Sequence, residues 1–516
     1  EIVGENFLRL ATGARVEARG GSEAGDGGFV ETSGKRGFEI GATPDVGADN
    51  GKAGTWLIDP DNITIVAGNT YVNIPNGSPF SSTGADAQLG VDLIVNALTG
   101  GATVDVTTGT SSDQEGNITL SAALNYDGKG ANTLRFNAHG NIYINEQIYD
   151  SASGDDSLNL TLTADTDGND TGGVFVNQNI TLGGGTFTAS GTKFENTASI
   201  DTGSGNINIT ATDAIALGAD VTTSGDVVLN AADGAIKQTA GTVSGADVKL
   251  TSGAGIGEAA ARLNTAAARI EFDAAGAVYI TEADGVTVAG RTTANDGLID
   301  VATTAGAITV DTVGARAGLS ANGTGSITLN AGGAAGDVDL NEGLTTGGGN
   351  VAVTAGRDVT SLAAGTITTT AAADSGKASG DVVVNAGGAV NLAGAITTAG
   401  ADNSTGDGSA GGAVTITTAD GAVEIADVTT SGGASTLAGA NGGNAGNISI
   451  TSGDEGDDAA HGITLNGALA ALGGAGDVAG AAGNVTLTAD GAIKQTAGAV
   501  SGADVKLTSG AGIGEA

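Results

Sequence analysis

The sequence predicts an all-β solenoid, a parallel β-helix whose short coils stack on one another. Three observations lead to this class. First, one phrase recurs at Gly349-Asn-Val-Ala-Val-Thr-Ala, Gly380-Asp-Val-Val-Val-Asn-Ala, Gly412-Ala-Val-Thr-Ile-Thr-Thr, Gly446-Asn-Ile-Ser-Ile-Thr-Ser and Gly483-Asn-Val-Thr-Leu-Thr-Ala. Second, each phrase alternates aliphatic with small polar residues, the period of a strand buried on one face. Third, a unit that returns every 31 to 37 residues by subtraction of these positions cannot bury that face alone, so it must lie on its neighbours.

Taken in order, residues 1–66 read as coils. Arg9-Leu-Ala-Thr-Gly-Ala-Arg-Val-Glu-Ala alternates, and Gly25-Asp-Gly-Gly-Phe-Val-Glu-Thr-Ser-Gly-Lys gives a turn and a strand. Asn50-Gly-Lys-Ala-Gly-Thr-Trp-Leu-Ile-Asp-Pro-Asp-Asn-Ile-Thr-Ile places a turn at Asp59-Pro60-Asp61 between two strands. Residues 67–101 read as an irregular loop with a short helix or apolar strand over Leu89–Leu98. Strands resume over 102–200, at Gly116-Asn-Ile-Thr-Leu, Thr133-Leu-Arg-Phe-Asn-Ala, Gly140-Asn-Ile-Tyr-Ile-Asn and Leu158-Asn-Leu-Thr-Leu.

Residues 201–516 read as a repetitive shaft. Its bare coil starts at Gly205, Gly225 and Gly245, about 20 residues apart. The longer modules are that coil plus Gly-, Ala-, Ser-, Asp- and Asn-rich pieces, Ala399–Gly411, Ser431–Ala445 and Leu472–Ala482. These fall at one phase of the repeat and are expected to project as loops from one corner. Residues 232–259 recur at 489–516 with a single change, Thr242 to Ala499. Copying of a whole block suits a fibre better than an active site assembled from several unlike coils. Tight Gly and Asn turns, some with positive φ, are expected between strands.

Composition narrows the function classes. Hydrophobic residues are 40% but aromatics only 3%, and every aromatic lies at or before Tyr279. The interior is therefore a thin Val, Ile, Leu and Ala seam, and the C-terminal half offers no ring to stack on a sugar or base. Lys and Arg number 19 against 58 Asp and Glu, a net charge of −39. Such a surface repels nucleic acid and anionic lipid. The chain has no Cys, so it has no disulfide, thiolate metal site or Cys nucleophile. No segment is apolar for long enough to span a bilayer. The start in mid-pattern at Glu1-Ile-Val-Gly, without Met, reads as an excerpt of a longer chain.

Candidate chemistry is sparse. Gly253-Ala-Gly-Ile-Gly lacks the following Lys-Ser/Thr of a phosphate loop and reads as a turn. Asp454, Glu455, Asp457 and Asp458, and the run Asp165-Thr-Asp-Gly-Asn-Asp, offer oxygen ligands for loosely held calcium, against the plainer reading of solvated loops. No other cofactor is expected. His139 and His461 have no second His at ligand spacing and read as outward or loop residues. Asn-x-Thr/Ser at Asn62, Asn117, Asn159, Asn179, Asn208, Asn447 and Asn484 matches a glycosylation signal, yet Asn-Ile-Thr also satisfies a turn and strand alternation.

Residues 1–200, through Gly25-Asp-Gly-Gly-Phe-Val-Glu-Thr-Ser-Gly-Lys, Gly51-Lys-Ala-Gly-Thr-Trp-Leu-Ile-Asp-Pro-Asp-Asn-Ile-Thr-Ile, Leu93-Ile-Val-Asn-Ala-Leu and Gly140-Asn-Ile-Tyr-Ile-Asn, resemble the filamentous haemagglutinin-like and high-molecular-weight adhesins of two-partner secretion. The resemblance implies a right-handed parallel β-helix and passage through an outer-membrane transporter partner. It also implies a place on the surface of a Gram-negative bacterium, and a host-cell or matrix glycan or protein receptor. The secretion domain typical of that family is not among these residues. The function expected is a non-catalytic shaft in attachment or biofilm formation. Two alternatives stand beside it: a polysaccharide-cleaving β-helix enzyme, and the stalk of a contact-dependent toxin-delivery protein.

Overall fold

A computed structural model describes residues 2–4, 8–34, 38–59, 62–69, 87–108, 115–152, 156–454 and 461–515. The chain divides into two compact units, Glu1–Lys249 and Leu250–Ala516. Each is a stack of parallel β coils, as the alternation predicts.

In the first unit one face is an eight-stranded parallel sheet, from Ala87–Gly90 and Ile63–Val66 through Ile142–Ile144 to Ile236–Gln238. A second face stacks Thr103–Thr107, Ala131–Asn137, Ser157–Thr163, Phe187–Gly191, Ile207–Ala211 and Val227–Ala231 in parallel register. A third is narrow, two residues per coil, as in Ile180–Thr181 over Ile200–Asp201. Near the start, Trp56 is fully buried and its indole N–H donates to Thr32 Oγ1 at 3.0 Å. Both readings of Leu89–Leu98 hold in part, because the strand Ala87–Gly90 passes directly into a helix, Val91–Ala97. That helix buries Val91, Leu93, Ile94 and Ala97 on the coil stack. The turn residues Pro60 and Asp61 lie outside the described residues.

Over residues 299–501 each coil of the second unit has three strands in the parallel stack. First strands Val351–Ala355, Val382–Ala386, Val414–Thr418, Ile448–Ser452 and Val485–Ala489 pair in register. Val351, Val382, Val414, Ile448 and Val485 therefore stack inward in one column, each 1% exposed or less. Each such side chain contributes about 1.5–3 kcal/mol by leaving water. Outward positions carry Thr, Asn and Ser, as in Thr417 over Asn385.

The Gly that opens each first strand is required by contact, not by an unusual φ. A Cβ on Gly380 would lie 2.1 Å from Gly349 O, and one on Gly412 would lie 2.0 Å from Gly380 O. The residue after it forms a ladder, in which Asn350 Oδ1 accepts Asp381 N–H at 2.9 Å and Asp381 Oδ1 accepts Ala413 N–H at 2.7 Å. The sequence pattern suggests a tight Gly turn at this point. It is instead the place where successive coils touch backbone to backbone.

The inserts do lie at one corner, between the third strand of one coil and the first of the next. A buried Thr at the end of the third strand closes the corner on the opening Gly carbonyl. In the bare coil this is Thr346 Oγ1 to Gly349 O, at 2.6 Å. The same bond spans 11, 14 and 16 residues at Thr369–Gly380, Thr398–Gly412 and Thr430–Gly446. The neck is thus unchanged whatever hangs from it.

The inserts differ from the loops the sequence suggested. They are extended segments bonded to one another with a period of three. Gly432 and Ser435 donate to Leu472 O and Ala475 O of the next insert, and Gly442 and Ala445 donate to Val478 O and Ala481 O. Gly433 donates to Ser409 O of the previous insert, and Gly443 donates within its own layer to Gly433 O. Three bonding directions at three-residue spacing, in two arms joined in the 431–445 insert by a turn at Ala438–Gly439 where Gly439 has φ 83°, match left-handed extended chains of the polyproline II kind. Glycine is what allows their approach. A Cβ on Gly432 would meet Gly443 O at 1.8 Å, and one on Gly474 would meet Gly433 O at 1.9 Å.

Candidate functional site

Coil geometry gathers a cluster of carboxylates that no sequence motif marks. Asp127, Asp150 and Asp156 place ligand oxygens within 4.8 Å of one another. Asp127 follows the short strand Leu124–Asn125, and Asp150 follows Ile148–Tyr149, its parallel partner one coil on. Asp156 precedes the strand Ser157–Thr163. Separations of more than 20 residues in sequence thus become a single coil step.

The turn Tyr126–Gly130 is built around these groups. Gly128 and Gly130 sit at φ 72° and 74°, and both amides donate to the Asp156 carboxylate. Asp156 is only 4% exposed. Ser151 Oγ donates to Asp127 Oδ2 at 2.8 Å, and Asn125 Oδ1 accepts the N–H groups of Asp127 and Ser151. Ala152 N–H reaches Asp150 Oδ1 at 3.0 Å, while Asp150 Oδ2 is buried without a hydrogen-bond partner among the described residues. Tyr126 donates its hydroxyl to Thr181 O at 2.9 Å. Its ionisation is pushed upward by burial first, then by the charges of Asp150 and Asp156. Three carboxylates of this kind suit a hard divalent cation. The turn's own amides already satisfy Asp156, however, which accounts for its geometry without an ion. The sequence signal was slight, because neither Asp150 nor Asp156 belongs to a ligand-spaced motif.

The residues singled out from sequence do not join this cluster. Asp454 is half-buried with Oδ1 lacking a partner among the described residues, and Glu455, Asp457 and Asp458 lie outside them. In the run 165–170, Asp165 and Asp167 accept from Asn169 and Thr192, so the loop's own donors occupy them. His139 and His461 sit in different units. His461 Nε2 lies 2.9 Å from Asp420 Oδ1. The Gly253–Gly257 stretch is a coil corner, with Ile256 in the core and Gly255 O accepting from Ser252 Oγ. Several Asn-x-Thr/Ser asparagines are ladder members. Asn117, Asn159, Asn179, Asn447 and Asn484 each accept a backbone N–H from the next coil.

Five arginines are engaged by carboxylates. Arg19 bridges Asp45 and Asp49, Arg262 pairs with Asp300 at 2.9 Å, and Arg291 and Arg316 share Asp273. Arg357 binds Asp337, which holds that carboxyl below its ordinary range. The outward aromatics Tyr143 and Phe175 stack on each other at 5.0 Å, and Lys193 covers Phe175. Their faces are spent on one another. No helix among the described residues is long and apolar enough to cross a membrane. No protein-family model matches the chain, and no curated protein matches it.

Proposed function

We propose that this chain is a non-catalytic stalk segment of a large secreted bacterial surface adhesin, exported through an outer-membrane transporter and serving attachment or biofilm formation. One observation carries the reading: the inward column of each coil is repeated while variation gathers at the corners. A protein selected for reach keeps its stacking residues and adds coils. A catalytic β-helix would need acid and cation side chains free on one groove across neighbouring coils, whereas the arginines named above are engaged by carboxylates. The likeness of residues 1–200 to two-partner adhesins supports the surface location.

The test grafts the chain between an outer-membrane anchor and a binding domain of known target on an encapsulated bacterium. Cells should capture target-coated beads, and removal of whole coils over 412–482 should reduce capture. Capture indifferent to coil number would overturn the stalk reading. So would release of reducing or unsaturated sugar ends when purified chain is mixed with acidic polysaccharides.

A further inference from the structure

The insert stack ends on an uncovered layer. In the layers below, each interlayer bond has a fixed place in the three-residue period. Positions 408, 411, 442 and 445 donate onward to the next layer, as do 400, 403, 432 and 435. The matching amides of the last insert are those of Gly473, Gly476, Ala479 and Ala482. None of the four has a hydrogen-bond acceptor among the described residues, while their neighbours Gly474, Asp477, Gly480 and Gly483 are all bonded downward or sideways. The same layer leaves acceptors open. Gly443 O and Ala440 O, which accept from Gly474 and Asp477, correspond to Gly480 O and Asp477 O, which accept no hydrogen bond among the described residues. Apolar side chains flank the face: Val478 is 65% exposed, Leu472 49%, and Leu437 at the tip of the layer below 43%.

We propose that this face of the last insert, residues 472–482, is a self-association surface that pairs with the same face of a second copy of this chain. Its occupant follows from the covering seen within the molecule, where each lower layer is capped by another Gly-, Ala- and Asn-rich extended segment that offers carbonyls to the donor row and amides to the acceptor row; a second copy turned face to face offers both kinds of group to the open rows. The face is complementary to itself because it offers rows of both donors and acceptors, the requirement for an isologous two-fold contact. Extended chains of this type leave their backbone groups free for neighbours, and the flanking Leu472 and Val478 add apolar area that a partner removes from water. The area is small, so a single contact is weak and an array of copies multiplies it. The inference does not depend on the adhesin reading.

Sedimentation of the purified chain from about 1 μM to about 1 mM tests it, over the range where such small contacts bind. Dimer should appear toward the upper end. The double substitution Ala479→Pro and Ala482→Pro removes two of the open donors, and its fixed φ suits an extended chain. Together with Val478→Asp it should weaken dimerisation by about tenfold or more, with an unchanged circular dichroism spectrum and melting temperature. Val505→Asp and Ile513→Asp, in the exposed last coil, should leave dimerisation intact. A chain monomeric throughout would overturn the proposal. So would association that survives the insert variant and disappears in the last-coil variant.

Discussion

Thr398 shows how one hydroxyl keeps this fold tolerant of insertion. Its Oγ1 bonds Gly412 O at 2.6 Å, and Gly412 N–H returns to Thr398 O at 2.8 Å. Thr398→Ala leaves a buried carbonyl unsatisfied and should cost about 1–3 kcal/mol, read from denaturant unfolding of the whole chain. Glu282 is the opposite case, a fully buried carboxyl in a column where the paired coils carry Thr303 and Ala331. Burial raises its pKa from 4.5, against hydrogen bonds from Thr265, Ala267 and Ala283 that lower it. A raised folded-state pKa gives stability that is fully present below the unfolded value and is lost as pH rises through the folded one. Glu282→Gln should therefore flatten the fall in melting temperature as pH rises above the ordinary Glu range of about 4, and melt no lower than the parent at alkaline pH. An unchanged slope would show that the group is not strained by burial. Nothing in the sequence distinguishes Glu282 from the outward acids, because its burial depends on which coil face closes over it.

Strands and inserts carry different amounts of information in their sequences. The strand Val414–Thr418 alternates buried and half-buried residues along its length, and hydrophobic period alone identifies it. The insert Ser431–Ala445 has no hydrophobic period, and its order arises from bonds to chains far away in sequence. Its glycines mark close approach, yet the same composition in another setting is a flexible linker. Gly443→Ala forces a Cβ to within 1.9 Å of Ser409 O. It should speed amide exchange across 431–445 by at least about tenfold while the first-strand amides stay protected. Replacing Leu472–Ala482 with Gly-Gly, the bridge found between Thr346 and Gly349, should preserve the coil stack in far-ultraviolet circular dichroism. Collapse of that spectrum would show that the inserts hold the coils together.

Across the molecule, charge and repetition act together. The net charge is −39, and residues 378–493 contain no Lys or Arg. Exposed acids on stacked coils repel at short range, so the melting temperature should rise by several degrees between about 20 mM and about 500 mM NaCl as screening shortens their reach. A salt-independent melt would mean the acids are too far apart to matter. The Asp127, Asp150 and Asp156 cluster was not legible, because sequence gives no register between coils of unequal length. Alternation of Val and Ile with Thr and Asn, repeated at a short interval, was enough to determine stacked parallel coils, since such a face has nothing else to bury against. Which residues meet was decided only in three dimensions. The inserts are the clearest case: Gly442 and Ala445 donate to Val478 O and Ala481 O, 36 residues further along the chain. No hydrophobic period marks these partners, because their pairing is supplied by the stacking of whole coils and not by the local sequence.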